Sequence, residues 1–124
     1  MKKALIFVLF IMVGLIITGC GSAMKEAAGT YMLEYSKYVG DDDSAKNTTE
    51  VASMVLESDG TGRSYRDNAD YAIEWSLDGE KITITEKFMG MRQGYTGTLK
   101  DGRLDIFNGD ETNALTNEMV YNKK

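Results

Sequence analysis

The chain reads as an all-β protein, a small antiparallel up-and-down barrel of about eight strands, and three observations predict it. From Gly29 onward, short stretches alternate apolar and polar residues with period two, the pattern of strands with one buried and one wet face. Four Asx-Gly pairs, Asp59-Gly60, Asp78-Gly79, Asp101-Gly102 and Asn108-Gly109, punctuate those stretches. Each suits a tight hairpin, because both residue types tolerate the positive φ of a type I′ turn. No proline occurs in 124 residues, and no stretch has the periodicity of an amphipathic helix. A meander of consecutive hairpins escapes exposed edges by closing on itself. A two-sheet sandwich is the alternative that the same strand spacing permits.

The N-terminus comes before this pattern and differs from it. Met1-Lys2-Lys3 is a short positive segment, followed by the apolar run Ala4 to Ile17. A helix needs about 20 apolar residues to span a bilayer, so this shorter run reads as the core of a secretory signal that processing removes. It ends in Ile17-Thr18-Gly19-Cys20, which resembles the lipobox of bacterial lipoproteins. The resemblance implies a diacylglyceryl group on the Cys20 sulfur and cleavage just before it. Residues 1–19 are then the signal peptide, 20–28 a lipidated tether and 29–124 the barrel domain. Two attached chains hold a protein to a membrane where one is marginal. Cys20 is the only cysteine, so once acylated it leaves neither thiol nor disulfide, and the domain stands on packing and backbone pairing. The tether, Gly21 to Gly29, is built of small and charged residues and reads as flexible or briefly helical.

Within the domain each strand has a legible inner face. The segment around Tyr31, Leu33 and Tyr35 opens it, and Met54 and Leu56 mark the second strand. Thr61 to Arg66 is polar and has the weakest alternation. Tyr71, Ile73, Trp75 and Leu77 share one face, with Ile82 and Ile84 following the Asp78-Gly79 turn. Tyr95 and Leu99 alternate with Thr96 and Thr98, and Leu104 and Ile106 alternate with Arg103 and Asp105. Met119 and Tyr121 point inward in the last strand, leaving Val120 as an exposed exception.

These pieces together resemble small lipocalin-like lipoproteins of Gram-positive bacteria. The resemblance lies in the lipobox, Gly29-Thr30-Tyr31, Asp59-Gly60-Thr61-Gly62, the stretch Trp75 through Ile84 and the stretch Gly97 through Ile106. It implies a barrel fold and an extracytoplasmic, membrane-anchored location, and it carries no catalytic residues over.

Composition narrows function further. Loss of Lys2 and Lys3 takes the basic residues from 14 to 12 against 19 acidic ones, a formal charge of −7 for the mature chain. That balance argues against nucleic acid and against a polybasic grip on lipid headgroups. There is no histidine, which removes histidine general-base catalysis and histidine metal sites. Ser36 and Lys37 are neighbours that point to opposite strand faces. Asp67, Asp70 and Glu74 offer carboxylates for glycoside hydrolysis, but an acidic surface supplies such pairs anyway. The expectation is no enzyme and no cofactor.

Two local stretches bear on binding. Asp41, Asp42 and Asp43 lie in the one long loop, Gly40 to Glu50, but three consecutive carboxylates splay apart and depart from the alternating spacing of a calcium loop. Met89 and Met91 flank Gly90, and two thioethers without histidine or cysteine make a poor Cu(I) site. No metal site is expected. The same methionines, with Phe88 and Tyr95, read as an adaptable apolar lip at a barrel mouth. Trp75, Phe88, Met89, Met91 and Tyr95 are therefore the candidate residues for a small apolar ligand or lipid. The alternative is a filled barrel that displays its loops to a protein partner or a cell-wall component. A monomer is expected in either case.

Overall fold

The structure, a computed structural model, describes residues 22–124; the expected signal segment and Cys20 lie outside the described residues. Eight strands follow one another: β1 (Gly29–Tyr38), β2 (Ala52–Leu56), β3 (Thr61–Arg66), β4 (Ala69–Asp78), β5 (Lys81–Phe88), β6 (Met91–Lys100), β7 (Arg103–Phe107) and β8 (Asn117–Lys123). Each pairs antiparallel with the next, and β8 pairs with β1 to close an up-and-down barrel. Closure leaves no strand edge open and excludes the sandwich.

Period two does what it promised across the core. Tyr31, Met54, Leu56, Ile73, Trp75, Ile82, Ile84, Tyr95, Leu99, Leu104, Ile106 and Tyr121 meet inside, with Leu33, Leu77 and Met119 packed against them from partly exposed positions. An eight-stranded barrel encloses a space that side chains just fill, and three large aromatics, Tyr31, Trp75 and Tyr121, occupy much of it here.

Three expectations are corrected. Val120 is fully buried rather than exposed. The β1–β8 register shifts between Leu33 and Tyr35, after which Tyr35 stands opposite Val120. Tyr35 therefore shares the outer face with Val120, not the inner face with Tyr31, and Asp105 flanks Val120 from β7. The Lys46 ammonium lies 4.2 Å from the Tyr35 ring centroid and helps cover this outer patch. Asn108-Gly109 does not form a tight hairpin either. It opens the longer loop 108–116, whose base is tied by the Asn117 amide donating to Asn108 Oδ1 at 2.9 Å. Of the other pairs, Asp101-Gly102 has positive φ at both residues, 52° and 76°, as a type I′ turn requires. Two further turns of that kind, Asp67-Asn68 and Met89-Gly90, join β3 to β4 and β5 to β6.

Antiparallel order gives the barrel two distinct ends. At one, a short helix over residues 22–27 lies across the β2–β3, β4–β5 and β6–β7 turns, with Met24 and Ala27 against the core. The Tyr31 hydroxyl donates to the Ala27 carbonyl at 2.6 Å, and Lys123 Nζ donates to the Glu26 carbonyl at 2.8 Å. The far end carries the β1–β2 loop, the Asp67-Asn68 and Met89-Gly90 turns, and the loop 108–116. No helix among the described residues is long and apolar enough to cross a membrane.

Candidate functional site

The far end is where chemistry-bearing side chains converge. β3 and β5 continue their inward phase past the apolar core and place Arg66 and Glu86 inside the mouth, where they form a bidentate ion pair. Glu86 is 5 % exposed and Arg66 25 %. Ser64 adds its hydroxyl oxygen to the same guanidinium at 3.5 Å. The guanidinium carbon lies 4.5 Å from the Tyr71 ring centroid, and Tyr71 meets Phe88 edge-on at 5.1 Å. Planar stacking with a fork of donors is what arginine does better than lysine. The Glu86 carboxylate raises the Arg66 pKa further above its ordinary value. Burial raises the hydroxyls of Tyr95 and Tyr121 on the core side, so these phenols stay neutral.

The sequence reading does not find this pair, because it follows the inner face of β5 only through Ile82 and Ile84. A signal existed: Glu86 continues the Ile82–Ile84 phase, and Arg66 sits two residues beyond Ser64 on the inner face of β3. Opposite charges on two inward phases mark a buried pair.

The candidate ligand residues divide between core and lip. Trp75 is 5 % exposed, and its indole N–H donates to the carbonyls of Glu57 at 2.9 Å and Thr61 at 3.0 Å, stapling the β2–β3 turn. Tyr95 is buried beside it in the core. Phe88, Met89 and Met91 are instead exposed, by 48 %, 84 % and 68 %. They form the tip of the β5–β6 hairpin, with Phe88 directly opposite Met91 and Met89 in the turn at φ 50°. The lip exists, but it stands clear of Trp75 and Tyr95.

Clefts of about 310 to 520 Å³ open on the described residues, lined largely by rim and outer-wall positions; the one under the helix over residues 22–27 reaches the core residues Tyr31 and Leu99. One, of about 440 Å³, follows the outer face of β2 and β3 to the Asp67-Asn68 turn.

The remaining acidic groups are engaged or dispersed. Asp70 lies 3.6 Å from Arg63, and Glu74 pairs with Lys87. Ser36 donates to Glu50 at 3.2 Å, while Lys37 turns to the Asp41 carbonyl. Asp42 caps its own loop through Ser44, and hydrogen bonds from Ser44 lower its pKa. No group of three or more metal-ligating side chains forms among the described residues. Asp105, on the outer face of β7, differs from the rest. Burial, then the hydrogen bond and charge of Glu118, push its carboxyl up to about 7, and its Oδ1 is buried without a hydrogen-bond partner.

Compared with known protein families, curated proteins and solved structures, the chain matches none.

Proposed function

We propose that this is a lipid-anchored, non-catalytic extracytoplasmic lipoprotein whose barrel serves as an interaction scaffold rather than a carrier. The observation that carries this reading is the filled interior. Large aromatic and aliphatic side chains occupy the barrel, the helix over residues 22–27 covers one end, and the Arg66–Glu86 pair sits in the other. A buried ion pair at the mouth resists an apolar guest, which would have to displace or desolvate it.

Anchoring through Cys20 fits the position of that helix. Cys20 precedes residue 22 by two positions, a reach of about 7 Å at full extension. The covered end would then face the bilayer, and the far rim, with its Phe88–Met91 tip, would face outward. An exposed methionine-rich tip is adaptable contact material.

Two measurements test the two halves. Labelled palmitate is expected in the wild type and absent from Cys20→Ala, which also leaves the membrane fraction. Retention of Cys20→Ala in the membrane would replace the lipid anchor with an uncleaved signal anchor. A fluorescent fatty acid is expected not to enter the barrel. Saturable uptake that Met89→Asp with Met91→Asp abolishes would instead make the lip the gate of a ligand site.

A further inference from the structure

We infer that the outer-wall cleft beside the Asp67-Asn68 turn is a binding site for an uncharged saccharide. The cleft shares no residue with the Phe88–Met91 tip, so it stands independently of the lipid anchor and of that tip.

The strand register builds its floor. Met32 of β1 stands opposite Ser53 of β2, Ser53 opposite Tyr65 of β3, and Tyr65 opposite Asp70 of β4. One cross-strand row on the outer face thus carries a thioether, a hydroxyl, a phenol ring and a carboxylate. Tyr65 is 41 % exposed and Met32 39 %, and the space above them measures about 440 Å³, within the range of small-molecule sites.

The turn at its edge supplies polar groups. Asp67 and Asn68 both hold positive φ, 55° and 60°. A two-residue turn of this type favours glycine at its second position, as Asp101-Gly102 and Met89-Gly90 have it. Here Asn68, a residue that tolerates the left-handed conformation, stands in that place and sets an amide beside the Asp67 carboxylate on the rim of the cleft.

The lining selects the ligand class. A pyranose has an apolar C–H face, which stacks on an exposed aromatic ring, and an edge of hydroxyls that donates to carboxylates and exchanges bonds with amides. Tyr65 with Met32 supplies the first surface, and Ser53, Asp67 and Asn68 supply the second. An anionic ligand finds the Asp67 carboxylate here, Asp70 being paired with Arg63, while Arg66, the one cation lining the cleft, is neutralised by Glu86. A fully apolar ligand would bury the Asp67 carboxylate without a cationic partner. An extended peptide strand finds no free edge, because the barrel is closed.

The test is saturation-transfer NMR on the full-length protein in detergent micelles, with the β-1,4-linked tetramer of N-acetylglucosamine as probe. Transfer to the ring C–H protons is expected. Tyr65→Ala should abolish it and Tyr65→Phe should largely retain it. Asn68→Gly suits the turn, so it should keep the melting temperature while weakening binding about tenfold, the scale of one lost hydrogen bond. Co-sedimentation with purified peptidoglycan, competed by the tetramer, would assign the sugar to the wall polymer. Tetramer binding without co-sedimentation would assign a free oligosaccharide. Absence of transfer, or equal binding by the wild type and all three variants, overturns the inference. So does binding of a lysine oligomer through Tyr65 and Asp67 in place of the sugar, which would make the cleft a cation site.

Discussion

Trp75 shows how one side chain serves both packing and connectivity. It is buried mid-strand in β4, and its indole N–H holds two carbonyls across the β2–β3 turn. Trp75→Ala should lower unfolding stability by about 3–5 kcal/mol, measured by denaturant titration. A change below about 1 kcal/mol would place the ring outside the core. Glu86 is the polar counterpart. Replacing it by alanine strands Arg66 in the mouth and should cost about 3 kcal/mol, the lower end for a broken buried pair because Arg66 keeps some solvent. Asp105 gives the molecule a pH dependence of its own. Its folded-state pKa of about 7 lies above the ordinary 3.8, so the folded protein holds this proton more tightly than the unfolded chain. Its contribution is complete below about pH 4 and is lost as pH rises through 7. The groups facing it are Glu118, Arg103 and Glu111. Asp105→Asn should therefore melt above the wild type at pH 8, and that gap should shrink toward pH 4. A gap constant across this range would contradict the assignment.

At the scale of strands and turns, alternation was the readable part. The inner faces of β4, β5 and β7 follow directly from Ile73–Trp75, Ile82–Ile84 and Leu104–Ile106, because a pleated strand turns every second residue inward. The bulge in β1 was not legible. Tyr31, Leu33 and Tyr35 keep perfect period two in the sequence, yet the register shift moves Tyr35 to the outer face and buries Val120 there. Nothing local marks that shift, since it is set by pairing with β8, some 85 residues along the chain. Turn chemistry was legible at Asp101-Gly102 and not at Met89-Gly90, where a methionine takes a left-handed position that asparagine or aspartate normally fills. Both lip methionines are exposed, so Met89→Asp with Met91→Asp should leave the melting temperature nearly unchanged. Gly97 is the opposite case. A Cβ at that position would run into the Asp105 backbone carbonyl, which cannot swing aside as a side chain can. Gly97→Ala should loosen the β6–β7 pairing and destabilise the barrel by about 1–3 kcal/mol, read as a lower denaturant midpoint.

For the whole molecule, closure and filling are the properties on which the proposed function rests. Eight strands without proline close the sheet, and the inward aromatics leave the interior to the protein's own side chains. The barrel was visible in the sequence because each hairpin carries its own signal. The filled interior was not, because period two says which residues point inward and not how much volume they enclose. The lip was legible as an exposed apolar segment, whereas its separation from Trp75 and Tyr95 depends on how far β5 and β6 project past the rim. The central claim, that the molecule binds by its surface and carries nothing inside, is tested most directly by native mass spectrometry of the full-length protein released from detergent. The account predicts the mass of the processed, acylated chain with no co-purifying molecule, before and after incubation with long-chain fatty acids. A stoichiometric apolar adduct that survives in the wild type and disappears in Trp75→Phe or Tyr95→Phe would contradict it and make the barrel a carrier.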